Sequence, residues 1–96
     1  MKKYIILIPV YNDWKSVFKL LENIDEQIKD WDVKVSVLII NDASTEERTV
    51  TEFDYKNLQV IKIINMKENR GHARSYASGL KYISEKENVD YAILMD

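Results

Sequence analysis

The sequence contains no cysteine, and that absence removes disulfides, thiolate zinc sites and thiol nucleophiles together. It fits a reducing compartment. No apolar run approaches the roughly 18 to 20 residues that a membrane-spanning helix requires. At the start, only Tyr4 to Ile8 separate Lys3 from Pro9, which is too short for the apolar core of a secretory signal. The chain is therefore read as cytoplasmic or, in a longer protein, peripheral on the cytosolic face of a membrane. An excess of one charge is also lacking. Fourteen Lys and Arg stand against sixteen Asp and Glu, a net charge of −2, so no broad basic field draws in a phosphate backbone and nucleic acid is not an expected partner. Neither G-x-G-x-x-G nor G-x-x-x-x-G-K-[ST] occurs, so dinucleotide enzymes and P-loop NTPases lose their main signature.

What is present is enough for one folded unit. Ninety-six residues allow a single small domain over 1–96, and an apolar fraction of 46% argues against disorder. Dense apolar, β-branched-rich runs at Tyr4 to Ile8, Val33 to Ile40, Leu58 to Ile64 and Tyr91 to Met95 predict four strands. The second and fourth are nearly continuous in apolar residues, as strands covered on both faces are. Between the first two, Trp14, Val17, Phe18, Leu21, Ile24 and Ile28 recur at helical spacing, with Asn12 or Asp13 as N-cap. Ala73, Tyr76, Ala77, Leu80 and Ile83 predict a second helix stripe after Arg70 and Gly71. The more polar segment from Ser44 to Asn57 predicts a short helix.

The order β-α-β-(α)-β-α-β builds a parallel sheet with helices on both faces, a Rossmann-like three-layer α/β sandwich. Winding outward through the third strand and returning with the fourth gives the strand order 3-2-1-4. The first and fourth strands then flank the switch point, where such sheets bind ligands beyond their carboxyl ends.

The polar residues concentrate at those ends. Asp42 can accept the imide N–H of uracil or the N1–H and amino group of guanine, or Asp42 or Ser44 can simply cap the helix or turn that follows. Tyr11 can meet a nucleobase or pack into the core. Arg70 and Arg74 lie where they could help to hold a diphosphate near a helix N-terminus. Small residues at 71, 73, 75, 77, 78 and 79 admit either a ligand or a strand close to the backbone, and close packing is the favoured reading of Ala73 and Ala77. His72 has no partner for a metal motif and reads as a cap or surface group. Asp96 ends an apolar strand, where a carboxylate suits ribose hydroxyls or, with a second carboxylate, a divalent metal.

Four blocks stand in order: Ile-Pro-Val-Tyr-Asn-Asp at 8–13, Leu-Ile-Ile-Asn-Asp-Ala-Ser-Thr at 38–45, Asn-Arg-Gly-His-Ala-Arg-Ser at 69–75 and Ala-Ile-Leu-Met-Asp at 92–96. Together they resemble the family-two glycosyltransferases of the GT-A fold, in the nucleotide-binding half. The resemblance implies a nucleotide-diphospho-sugar donor, a UDP- or GDP-sugar, with a divalent Mn or Mg ion. It also implies transfer to an acceptor hydroxyl with inversion. On its terms Pro9, Tyr11 and Asp13 line the base and ribose pocket, Asp42 binds the base, and Arg70, Gly71 and Ala73 lie along the nucleotide. Asp96 is the first Asp of the D-x-D motif and a metal ligand. Asn41 departs from the commoner Asp-Asp pair.

Stopping at Asp96 leaves out the rest of D-x-D, the acceptor half and the general base, so the expectation is a truncated chain that binds donor without transferring sugar. An apolar final strand also predicts self-association through residues 91–95. Two other classes compete. A receiver-like signalling domain needs a phosphorylatable Asp after the third strand, where Ile63-Ile64-Asn65 stands. A non-catalytic nucleotide-binding or interaction module could keep the fold without the chemistry.

Overall fold

Alternation along the first strand sets the architecture, because successive side chains of a strand point to opposite faces. The computed structural model describes residues 1–45, 55–68 and 71–95, with His72 by its backbone alone. Strands β1 (Lys2–Val10), β2 (Val33–Asn41), β3 (Leu58–Asn65) and β4 (Tyr91–Leu94) form one parallel sheet in the order β3-β2-β1-β4. Ile6, Ile8 and Val10 of β1 pack in the core with helix α1 (Trp14–Gln27). Ile5 and Leu7 pack on the opposite side with helix α2 (His72–Lys86). The sheet is thus the middle of three layers in the expected strand order. The predicted helix at 44–57 falls largely on residues 46–54, outside the described residues.

Helix α1 follows its sequence signal. Trp14, Val17, Phe18, Leu21 and Ile28 are all buried, and Asp13 is the N-cap, its Oδ1 accepting from the Ser16 N–H at 3.4 Å. Asn12 is therefore not the cap. At the other end, Asp25 Oδ1 accepts from the N–H groups of Asn57 at 2.7 Å and Leu58 at 2.9 Å, tying α1 to the start of β3.

Two expectations are corrected. In α2 the line that meets the sheet is Ser75, Gly79 and Ile83, whereas Ala73, Ala77 and Leu80 are exposed. The reason is the approach to Leu7: a Cβ on Gly79 would overlap Leu7 Cδ1 and stand 2.8 Å from Cδ2. Any side chain at 79 would require the buried Leu7 to shift, so glycine lets the helix settle closest there. Strand β4 is exposed at all four positions rather than covered on both faces. It is the last strand on its side of the sheet, and among the described residues its one strand partner is β1.

Candidate functional site

The carboxyl ends of β1 and β2 break from extended backbone at residues with positive φ: Asn12 at 65° and Ala43 at 57°. Asparagine tolerates this left-handed region better than most residues, and alanine poorly, so the geometry at Ala43 must be held from outside. The Asp42 N–H donates to the Val10 carbonyl at 2.8 Å, which carries the β1–β2 ladder one residue past the end of β2. From there the two turns are bound to each other. Asn12 N–H donates to Ser44 Oγ at 2.9 Å, Thr45 N–H donates to Asn12 Oδ1 at 2.8 Å, and Asn12 Nδ2 donates to Thr45 Oγ1 at 3.1 Å.

Asp42 sits at the floor of this shelf with 1% of its surface exposed. A buried carboxylate needs hydrogen-bond donors, and the N–H of Gly71 donates to its Oδ2 at 3.0 Å. Asp42 thus holds the N-cap residue of α2, 29 positions away. Gly71 occupies that cap with φ 83° and no side chain of its own to offer. His72 is the first residue of α2, not its cap.

The sequence-predicted residues fall into groups. Pro9, Tyr11 and Asp13 line one cavity of about 300 Å³ beside the start of α1. Tyr11 is 41% exposed, so it is not a core residue and its ring is open to a ligand. Asp42 and Gly71 are joined directly, and Ala73 lies exposed in the first turn of α2. Arg70 and Asp96 lie outside the described residues. Arg74 lines a separate hollow of about 460 Å³ with Lys67, Glu68 and Asn65 at the end of β3.

Sequence reasoning missed a row of asparagines. Asn41 Nδ2 donates to Asn65 Oδ1 at 2.9 Å, and Asn41 Oδ1 accepts from the Ser44 N–H at 3.0 Å. With Asn12 this places an amide at or just beyond the carboxyl end of β1, β2 and β3. The departure from an Asp-Asp pair then has a physical sense. An amide at 41 both donates to Asn65 and accepts from Ser44, whereas a carboxylate can only accept. The available signal was the recurrence of Asn at three strand ends.

The remaining features do not compete. A hollow of about 440 Å³ between α1, Trp31 and the β1–β4 pair has no charged residue in its lining, which ill suits a diphosphate. Among the described residues no three His, Asp or Glu side chains gather as a cation site. Among them, too, no helix is long and apolar enough to cross a membrane.

A parallel α/β sheet in the order 3-2-1-4, with polar turns meeting near a buried carboxylate at its carboxyl ends, defines an open doubly wound α/β architecture, the type whose ligands sit beyond the carboxyl ends of its strands. The chain belongs to glycosyl transferase family 2, whose model matches residues 5–96. It is similar to an uncharacterized protein of Methanocaldococcus jannaschii, with 24% identity over 94 residues, 96% of this chain and 38% of that protein. The chain thus spans well under half the length of that relative. No solved structure matches it significantly. Family membership disposes of the receiver-like alternative, and β3 indeed ends at Asn65.

Proposed function

We propose that the shelf at the carboxyl ends of β1 and β2 binds the nucleotide of a UDP- or GDP-sugar, the donor for inverting transfer to an acceptor hydroxyl. The observation that carries this reading is Asp42, a buried carboxylate at the end of β2 whose Oδ2 is fixed by the cap of α2. A fixed acceptor of this kind suits the imide of uracil or the N1–H and amino edge of guanine, and it opposes the acceptor-rich edges of other bases. Tyr11 offers its exposed ring to the base, while Pro9 and Asp13 shape the adjoining cavity. Gly71, Ala73 and Arg70 would follow the nucleotide along the start of α2. A divalent Mn or Mg ion bound through Asp96 would neutralise the diphosphate.

The test is a titration with UDP, GDP, CDP and ADP, with and without Mn, followed by protein NMR. Asp42→Asn should cost about 1 to 3 kcal/mol, roughly five- to 150-fold in affinity. Base-selective binding weakened by Asp42→Asn supports the proposal. Absence of binding by any nucleotide would leave a fold that has kept its ancestry without its ligand.

A further inference from the structure

The two turns that carry the proposed nucleotide contacts are far apart in the chain, the first leading into α1 through Asp13 and the second leaving the β1–β2 ladder at Asp42. Tyr11 and Asp13 flank Asn12 on the first turn, and Asp42 stands at the base of the second. What joins them beyond the ladder is Asn12. Its backbone N–H meets Ser44 Oγ at 2.9 Å, and its side chain makes a two-point contact with Thr45 through Oδ1 at 2.8 Å and Nδ2 at 3.1 Å. Ser44 is in turn bound at 3.0 Å to Asn41, and Asn41 at 2.9 Å to Asn65. The result is a continuous polar rail across the ends of three strands.

We infer that Asn12 is a positioning residue for nucleotide binding: it clasps the Asp42–Thr45 turn so that Asp42 and Tyr11 face the same ligand. The inference rests on the donor-site proposal and adds to it the residue that sets the geometry. Several observations support a clasp over an incidental surface contact. Asn12 stands at φ 65°, which turns its side chain from the strand direction towards the second turn at little cost for this residue type. Ala43 stands at φ 57°, a conformation alanine does not choose, and it lies between Asp42 and the two residues Asn12 binds. The clasp therefore closes over the strained residue. Releasing it loosens Ala43, and with it the angle at which Asp42, still bonded to Val10 and Gly71, meets a ligand.

Asn12→Gly separates the clasp from the backbone, because glycine accepts the positive φ and deletes only the amide. It should weaken binding of the preferred nucleoside diphosphate about tenfold through lost preorganisation, at a nearly unchanged melting temperature. Thr45→Val should weaken binding too, and Thr45→Ser should recover most of that loss by keeping the hydroxyl. The decisive readout is a double-mutant cycle. If Asn12 acts by placing Asp42, then Asp42→Asn costs less in the Asn12→Gly background than in the native chain. Unchanged affinity in Asn12→Gly, or two losses that simply add, would overturn the inference. If the native chain binds no nucleotide, the donor-site proposal fails by itself, and the clasp is decided by amide exchange. Faster exchange at Thr45, with shifted Asp42 to Thr45 resonances in Asn12→Gly, supports it; an unmoved turn overturns it.

Discussion

The phenol of Tyr76 donates to the backbone carbonyl of Met95 at 3.0 Å. In β1 the Leu7 carbonyl faces β4 and accepts from the Met95 N–H at 3.0 Å, so Pro9, two residues on, turns its nitrogen to the same side. The parallel ladder would ask that nitrogen to donate to Met95, and proline has no N–H. A side chain on α2 supplies the missing donor. Tyr76→Phe should therefore cost about 1 kcal/mol in urea unfolding and speed amide exchange at Met95. Pro9→Ala restores a backbone donor, so the loss from Tyr76→Phe should shrink in that background. Equal losses in both backgrounds would show that Tyr76 does not stand in for the proline.

Asp25 gives the second prediction. Its carboxylate accepts the N–H groups of Asn57 and Leu58 at 2.7 and 2.9 Å, with Lys56 N–H at 3.4 Å, while Asn57 Nδ2 returns a bond to the Asp25 carbonyl at 2.8 Å. Hydrogen bonds to a charged acceptor are the stronger kind. Asp25→Ala leaves these donors at the entry to β3 without it and should lower stability by about 2 to 3 kcal/mol. Chemical denaturation measures this directly, and a change below about 0.5 kcal/mol would mean that water replaces the carboxylate at no cost.

These two contacts mark the boundary of what was legible in the sequence. Strand order and the α1 stripe follow from periodicity and connection rules, and both are found. The phase of α2 is not legible, because Ala73 and Ala77 look as suited to close packing as Ser75 and Gly79. The choice is made by Leu7, on another element. Covering of β4 was misread because an apolar run looks alike in a central strand and at an edge. At the site, Asp42, Tyr11 and Gly71 could be singled out by type and position. The bonds from Asn12 to Ser44 and Thr45 span 32 and 33 positions, and such lateral polar contacts leave no periodic trace.

Tyr55 supplies a pH dependence. Burial, with the charges of Glu22 and Asp25 nearby, raises its phenol above the ordinary value of 10.0. The folded chain therefore holds this proton more tightly than the unfolded chain does. The associated stability is fully present below the unfolded value of about 10 and is lost as pH rises through the higher folded value. Melting curves between about pH 9 and 12 should show a steeper alkaline loss for the native chain than for Tyr55→Phe. Parallel profiles would mean that the phenol ionises as readily in the folded state as in the unfolded one.

The edge of the sheet carries the last prediction. In β4, Tyr91 is 49%, Ile93 38% and Leu94 49% exposed. Pairing with β1 puts Tyr91 and Ile93 opposite Tyr4 and Ile6 on the α1 side, so Leu94, opposite Leu7, belongs to the other face. Tyr91 stacks on Tyr4 with ring centroids 5.1 Å apart, which ties one end of the strand to its neighbour. An edge with apolar side chains on both faces is a template for another strand. The chain should self-associate at about 100 µM, as sedimentation velocity would detect. Ile93→Lys places a charge on that edge without removing a backbone bond, and it should return the chain to monomer. If the native chain is already monomeric at that concentration, strand pairing at β4 is not favourable. If Ile93→Lys leaves the association intact, another surface carries it.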